Sequence, residues 1–378
     1  MSKSVLFYAR NLVGTEGDLC NYMFSSVIKI LEATDIAVKK ITGINSINIK
    51  NSIEKELTEK ELTGKQYDCI LLERDYFICG NPLIKNCGDL INEIYHYLIK
   101  VKSLGITIIP DPETMRLTST KKYINLMPEE FITGSEYLSL TDVAQESITT
   151  PGMTIRKITI DKFDFETYDT YIIKLVNTSG SKGIRANVTL DTVANELLKL
   201  EEDHHVYKLP AVIIQPQLKN FVEFKTIIIG GEIIAVLASD FDPKDLTLGS
   251  FDIELQQFNS MCYEEYSNYI KDSGQDALVT KLETKYLQHL DRIKHLALHY
   301  YYQFNSLLTD PEDYLRVDII YDQNTENTFY LNEIEPFASG KFCSAQFFCR
   351  KEDDSLVDDS PGLKFIRKLS ECLIAKIK

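Results

Sequence analysis

Tyr314-Leu-Arg316-Val-Asp318-Ile-Ile-Tyr-Asp-Gln-Asn-Thr-Glu-Asn-Thr-Phe-Tyr-Leu-Asn-Glu333-Ile-Glu335-Pro336 is the stretch on which the fold turns. Two apolar, β-rich runs flank an Asn/Thr-rich turn, which predicts a β-hairpin. Residues two apart in a strand share a face, so Arg316 and Asp318 point one way and Leu315, Val317 and Ile319 the other. Glu333 and Glu335 also share a face. Register decides whether the two pairs meet. A four-residue loop, Asn324–Asn327, sets Asp318 opposite Glu333 and Arg316 opposite Glu335; an odd-numbered loop puts the pairs on opposite faces. In the even register three carboxylates and a guanidinium converge. Crowded carboxylates repel unless a cation joins them, and hard oxygen ligands select Mg²⁺. A surface ladder of ion pairs is the plain alternative for this hairpin taken alone.

Upstream, Tyr171-Ile-Ile-Lys174-Leu-Val-Asn-Thr-Ser179-Gly180-Ser181-Lys182-Gly183-Ile184 embeds a lysine in an apolar strand, where a charge calls for an anionic partner. The loop after it is small, hydroxylated and glycine-rich. Its backbone N–H groups can cradle phosphate oxygens, with Lys182 adding charge, although glycine-rich turns of no special role are common. Neither a P-loop nor a dinucleotide-binding glycine pattern occurs. Between the two signals, Val212-Ile-Ile-Gln215-Pro216-Gln217-Leu218 ends a buried strand in a proline-kinked connection. The Pro216 carbonyl and the Leu218 N–H, two residues apart, can match the amino group and ring nitrogen of adenine. In the strand that follows, Glu223 and Lys225 share a face, and Glu223 can accept from ribose hydroxyls. A plain amphipathic strand would look the same.

The frame around these motifs is that of a mixed α/β protein. Val5–Ala9, Cys69–Glu73 and Ile106–Ile109 read as short buried strands, alternating with helical patterns through Leu31 and from Leu90 to Ile99. That alternation predicts an α/β layer with a largely parallel sheet over the first 110 residues. Strands then dominate: 155–160, 171–176, 212–215, 222–229 and 233–238, with Gly230-Gly231 as a hairpin turn. A helix is expected over about 282–308, and another after Pro361-Gly362. The length of 378 residues suits three units: 1–112, 113–208 and 209–378, the last with an acidic, aromatic insertion at 241–282.

Composition narrows the partners. Lys+Arg 41 against Asp+Glu 56 gives a formal charge of −15, which repels nucleic-acid backbones. The longest apolar stretch, Thr226–Ala238, is broken by Gly230, Gly231 and Glu232 and falls short of the roughly 20 residues that span a bilayer. The eight cysteines form no Cys-x-x-Cys pair, so thiols are expected reduced, in a cytoplasmic setting, without a zinc framework. Asp291, His295 and His299 lie four apart on the expected helix, a spacing metal sites use. Solvated surface histidines account for it more simply, and Cys343 has no assignment.

Taken in order, these pieces resemble the ATP-grasp superfamily, over about two-thirds of the chain. An α/β layer is followed by a lysine in Ser119-Thr-Lys121-Lys122, where Lys121 and Lys122 both remain candidates. Then come Lys174 with the loop Ser179–Ile184, the hinge Gln215–Leu218, Glu223, and the signature Arg316-x-Asp318 with Glu333-x-Glu335. The resemblance implies ATP held between two small sheets, with Lys174 and Lys121 or Lys122 on its phosphates. It further implies Mg²⁺ on Asp318, Glu333 and Glu335, and Arg316 on the transferred group. It implies a ligase that activates a small-molecule or peptide carboxylate as an acylphosphate for an amine or similar nucleophile. Glu335 stands where the family's Glu-x-Asn pattern has Asn. The same fold serves small-molecule kinases. Phe337 after the proline, with Val222-Glu-Phe-Lys225 and Lys174-Leu, is similar to the eukaryotic cell-division-cycle ATP-grasp proteins that assist translation initiation factor assembly. That similarity implies, as a further alternative, an assembly factor whose acidic segment 241–282 engages a protein. Asp318→Asn and Glu333→Gln are both expected to abolish turnover with little loss of stability.

Overall fold

The computed structural model describes residues 3–9, 15–45, 47–63, 67–73, 77, 87–132, 134–139, 168–176, 184–189, 192–193, 195–196, 211–240, 287–325, 328–336 and 361–377. The strand expected at 155–160, Ser179–Gly183 of the glycine-rich loop, the segment 241–282 and Cys343 lie outside these residues.

The N-terminal layer runs β1 (Ser4–Tyr8), α1 (Thr15–Glu32), β2 (Ala37–Ile41), α2 (Ile49–Thr63), β3 (Cys69–Leu72), α3 (Cys87–Ser103) and β4 (Thr107–Ile109). Its strands are parallel, in the order β2-β1-β3-β4. A parallel sheet covered on both faces needs strands that are apolar throughout. Leu6 and Tyr8 of β1, with Ile70 and Leu72 of β3, pack beneath Ile49 and Ile53 of α2 and Ile94 and Leu98 of α3. Val5, Phe7 and Leu71 face Phe24, Val27 and Leu31 of α1. β2 and α2 carried no clear signal in the sequence. β2 is an edge strand, half wet, with charged Lys39 and Lys40, and the Lys39 ammonium pairs with Glu56 at 2.5 Å.

α4 (Pro112–Ser119) follows. Asp111 caps it by accepting from the Glu113 N–H at 2.9 Å, and Pro112 occupies the first turn, where its missing N–H costs nothing. Then comes an antiparallel sheet of β5 (Glu136–Ser139), β6 (Tyr171–Leu175), β7 (Arg185–Val188) and β8 (Ala211–Pro216), in the order β5-β8-β6-β7.

A second antiparallel sheet holds β9 (Phe221–Ile229), β10 (Glu232–Asp240), β11 (Tyr314–Asp322) and β12 (Thr328–Pro336), in the order β10-β9-β11-β12. Gly230 and Gly231, at φ 58° and 76°, turn β9 into β10, as a two-residue hairpin loop with both φ positive requires. Between β10 and β11 lies α5 (Leu290–Asn305), and α6 (Pro361–Ile377) closes the described chain. One face of the β9–β12 sheet is a continuous core. Leu315, Val317, Ile319, Leu331 and Ile334 pack with Val222, Phe224 and Ile228 against Ile293, Ala297 and Phe304 of α5. The opposite face is divided. Near one end, Ile227, Ile229 and Tyr314 pack with Phe365, Ile366 and Leu369 of α6, in the same cluster that includes Phe24 and Val27 of α1. Each such large apolar side chain, taken out of water, stabilises by roughly 1.5–3 kcal/mol. The middle of that face is polar, and Phe221 and Ile320 form a small apolar cluster toward its other end.

Hairpin register differs from expectation in an instructive way. Asp322 pairs with Thr328, so five residues, 323–327, form the connection, an odd number. On its own that would throw the carboxylate pairs onto opposite faces. The register shifts between Asp318 and Ile319, however, because Ile319 pairs with Leu331 while Asp318 pairs with Glu333. Asn332 is the extra residue, a β-bulge. It restores Asp318 opposite Glu333 and Arg316 opposite Glu335.

Candidate functional site

The polar face of the β9–β12 sheet gathers Glu223 and Lys225 from β9, Arg316 and Asp318 from β11, and Asn332, Glu333 and Glu335 from β12. Asp318 is fully buried at its centre. Its Oδ1 accepts from Arg316 Nε and its Oδ2 from Arg316 Nη2, both at 2.7 Å, and Oδ2 also accepts from Lys225 Nζ at 2.6 Å. Arg316 Nη1 reaches Glu335 Oε2 at 2.7 Å. Lys225 Nζ lies 2.7 Å from Glu223 Oε2.

Two residues from elsewhere complete the cluster. Lys174 on β6 donates to Asn332 Oδ1 at 2.9 Å, and Asn332 Nδ2 donates to Glu223 Oε1 at 2.5 Å. Lys121, just past α4, forms an ion pair with Glu333. Lys122 is exposed on a 3₁₀ turn, Lys122–Asn125, so of the two candidate lysines it is Lys121 that enters the cluster. Four cations (Lys121, Lys174, Lys225, Arg316) thus face four carboxylates (Glu223, Asp318, Glu333, Glu335), a formally neutral set inside an acidic protein.

Burial and pairing divide these groups by charge state. Burial alone would raise the Asp318 carboxyl, but Arg316 and Lys225 hold it down at about 2. Burial likewise works against the Lys225 ammonium, and Asp318 and Glu223 more than offset it, raising its pKa. At Lys121 and Lys174 burial outweighs the nearby carboxylates. Burial pulls Lys121 down to about 8 despite Glu335 and Asp318, and pulls Lys174 to about 8 with help from the positive charge of Lys121. Lys174 bonds to an amide oxygen and Lys121 pairs with Glu333, so each ammonium keeps donors that a phosphate could engage.

Lys121 reaches the cluster through an unfavourable backbone. It follows the C-cap Thr120 and sits at φ 54°, in the left-handed region where helices usually place glycine. A non-glycine residue costs about 1–2 kcal/mol there. Lys121→Gly is therefore expected to leave the melting temperature unchanged or raise it, while weakening nucleotide binding at least tenfold. Calorimetric melting and a nucleotide titration on the same sample check both halves.

The other expected positions are spread along the strand ends. Gln215, buried on β8, pairs with Ile172, and Pro216 ends the strand against Tyr171. The Gln217 N–H donates to the Thr170 carbonyl at 3.0 Å, and its Oε1 accepts from the Asn187 N–H at 2.7 Å. Leu218 is half-buried against Ile132, Phe221 and Ile320, next to Tyr330. Ile184 is half-buried just before β7. Asp291 and His295 are exposed on α5, and the His299 ring nitrogen lies 3.3 Å from Glu130. Among the described residues no three His, Cys, Asp or Glu side chains are grouped to hold a metal ion. The hairpin carboxylates are each bonded to an ammonium or guanidinium instead. Asn332 is the residue the sequence reading passed over. Strict alternation from Glu333 and Glu335 would have put its amide on the apolar face beside Ile334, and that misfit was the signal of a bulge.

A parallel N-terminal layer followed by two antiparallel sheets, with a lysine from one and a carboxylate hairpin from the other, is the ATP-grasp fold, and this protein has it. Solved structures of similar fold include the D-cycloserine synthetase DcsG, at TM-score 0.52 and 10% identity over 98% of this chain and 99% of that one. The biotin carboxylase of Campylobacter jejuni, solved as a beta-gamma-ATP complex, matches at 0.53 and 12% over 97% and 71%. D-alanyl-alanine synthetase A of Vibrio cholerae matches at 0.52 and 14% over 100% and 98%. At these identities the likeness is one of fold. No protein-family model matches the sequence, and no curated protein is similar to it. No helix among the described residues is long and apolar enough to cross a membrane.

Proposed function

We propose that the protein is a Mg-ATP-dependent ligase that activates a carboxylate and transfers it to an amine or similar nucleophile. The observation that supports this most is the joining of Lys121, Lys174, Glu223, Asp318 and Glu333, from five separate segments, into one buried cluster. Lys121 and Lys174 are the phosphate-binding cations, and Glu223 is the acceptor for ribose hydroxyls. Ser179–Gly183 with Lys182 cover the phosphates, and Gln215–Leu218 hold the base. Arg316 stabilises charge on the transferred phosphoryl group.

Asp318 faces Glu333 and Glu335 faces Arg316 in the hairpin register, and these carboxylates, each ion-paired here, are the hard-oxygen donors that would hold Mg²⁺. The cation, when bound, neutralises phosphate charge and orients the transfer. Glu333, paired with Lys121 here, would serve as a ligand to the cation, and the Lys121 ammonium would serve the phosphates. Arg316 and Lys225 keep Asp318 ionised throughout. The substrate carboxylate oxygen attacks the γ-phosphorus, the bond to the β-phosphate oxygen breaks, and ADP leaves. The acceptor then attacks the acyl carbon, loses its proton and displaces inorganic phosphate. Incubation with Mg-ATP and panels of carboxylates and amines tests this. ADP and free phosphate in step with a condensed product support the ligase. A phosphorylated product supports a kinase, and a stable protein complex without turnover supports an assembly factor; either result overturns the proposal.

A further inference from the structure

Asn332 occupies an unusual place. It is the additional residue of the β12 bulge, and its side-chain amide bridges the β6 sheet to the β9–β12 sheet through a hydrogen-bonded chain. Oδ1 accepts from Lys174 and Nδ2 donates to Glu223 Oε1. Glu223 is 4% exposed, and Lys225 holds its other oxygen at 2.7 Å. Between them, Asn332 and Lys225 fix both carboxylate oxygens, and so fix the plane in which Glu223 can accept further hydrogen bonds. An amide suits the task as neither a carboxylate nor an apolar residue would. It accepts from an ammonium on one side and donates to a carboxylate on the other. Bulges are found beside active sites because they re-aim one side chain without disturbing the rest of the strand. Here the rest of the strand keeps Leu331 and Ile334 in the core.

We infer that Asn332 is a positioning residue that couples recognition of the ribose to recognition of the phosphates, and so sets the preference for ribonucleotides over 2′-deoxyribonucleotides. The inference rests on the Mg-ATP reading above and adds to it. Glu223 can select a ribose only if its free lone pairs point at the hydroxyls. Without the Asn332 donor the carboxylate turns toward Lys225 alone. Without the Asn332 acceptor, Lys174 loses the contact that holds it over the same end of the site.

The test is binding of ATP and of 2′-deoxy-ATP, each with Mg²⁺, by titration calorimetry on the full chain. The wild type should prefer ATP at least tenfold. Asn332→Leu removes both bonds at similar size. Asn332→Asp keeps the acceptor for Lys174 and removes the donor to Glu223, so it covers the case in which the leucine variant fails to fold. Both variants should bring the preference close to onefold. Combining either with Glu223→Gln should lower it no further, since the two residues act through one contact. A variant that folds and keeps the wild-type preference overturns the role of Asn332, leaving the nucleotide reading intact. Equal binding of both nucleotides by the wild type overturns it too, by removing Glu223 as a ribose acceptor. Binding of neither overturns the Mg-ATP reading itself, and the inference with it.

Discussion

Asp318→Asn and Glu333→Gln are expected to lose Mg-ATP-dependent turnover alike, by a thousandfold or more, and to differ sharply in stability. Asp318 is fully buried, with two hydrogen bonds from Arg316 and one from Lys225. An asparagine there leaves two buried cations facing a neutral amide, and breaking a buried ion pair from one side costs about 3–5 kcal/mol. Glu333 is half-buried, with a side chain 23% exposed, and its partner Lys121 is a cation that burial already disfavours. Glu333→Gln is therefore expected to cost under about 1 kcal/mol. The expectation from sequence of little loss in both variants is revised for Asp318 because of this burial. Chemical denaturation of the two variants beside turnover checks the split. Equal stabilities would sink the hub role of Asp318, and retained turnover in both would sink the site. Asp318 also dates the acid transition. Its pKa is lower folded than unfolded, so its contribution is complete above about pH 4 and is lost as the pH falls through about 2.

Lys174→Met is the second large effect, and here stability and function should move in opposite directions. Burial lowers the Lys174 pKa from the ordinary 10.5 to about 8. Between those values the unfolded chain holds a proton that the folded chain has released, so stability rises with pH across that window. Below pH 8 the folded protein bears the full cost of an incompletely paired ammonium. Methionine removes that cost while filling similar space. The variant is expected to be more stable than the wild type by about 2 kcal/mol at pH 7, with the advantage fading as pH approaches 10.5. Nucleotide binding should weaken by a hundredfold or more, since the proposed function places this cation at the phosphates. Melting at pH 7 and pH 10, alongside a nucleotide titration, reads both effects. A destabilised variant at pH 7 would mean that the bond to Asn332 outweighs desolvation. Active sites commonly hold such residues, kept for function against stability.

Where the sequence sufficed, it did so through periodicity. The two-residue period of β11 placed Leu315, Val317 and Ile319 in the core and Arg316 and Asp318 opposite, as found. The apolar runs of β1 and β3 marked a covered parallel sheet, and the order of lysine, acid and carboxylate hairpin pointed to the ATP-grasp fold. β2 and α2 escaped because an edge strand and its helix bury only one side, so their patterns are diluted by Lys39, Lys40 and Glu56. The sequence by itself thus determined which faces were apolar and which residues were charged within them. Tertiary structure alone decided the hairpin's true register, because the bulge at Asn332 is a choice between burying an amide and adding a kink. It alone also selected Lys121 over Lys122, through a left-handed backbone that no local preference would favour. The bonds that define the site, Lys121 to Glu333 and Lys174 to Asn332, join residues 212 and 158 positions apart. No local pattern encodes such pairings; they follow from packing of the sheets, which brings the lysines within reach of the hairpin.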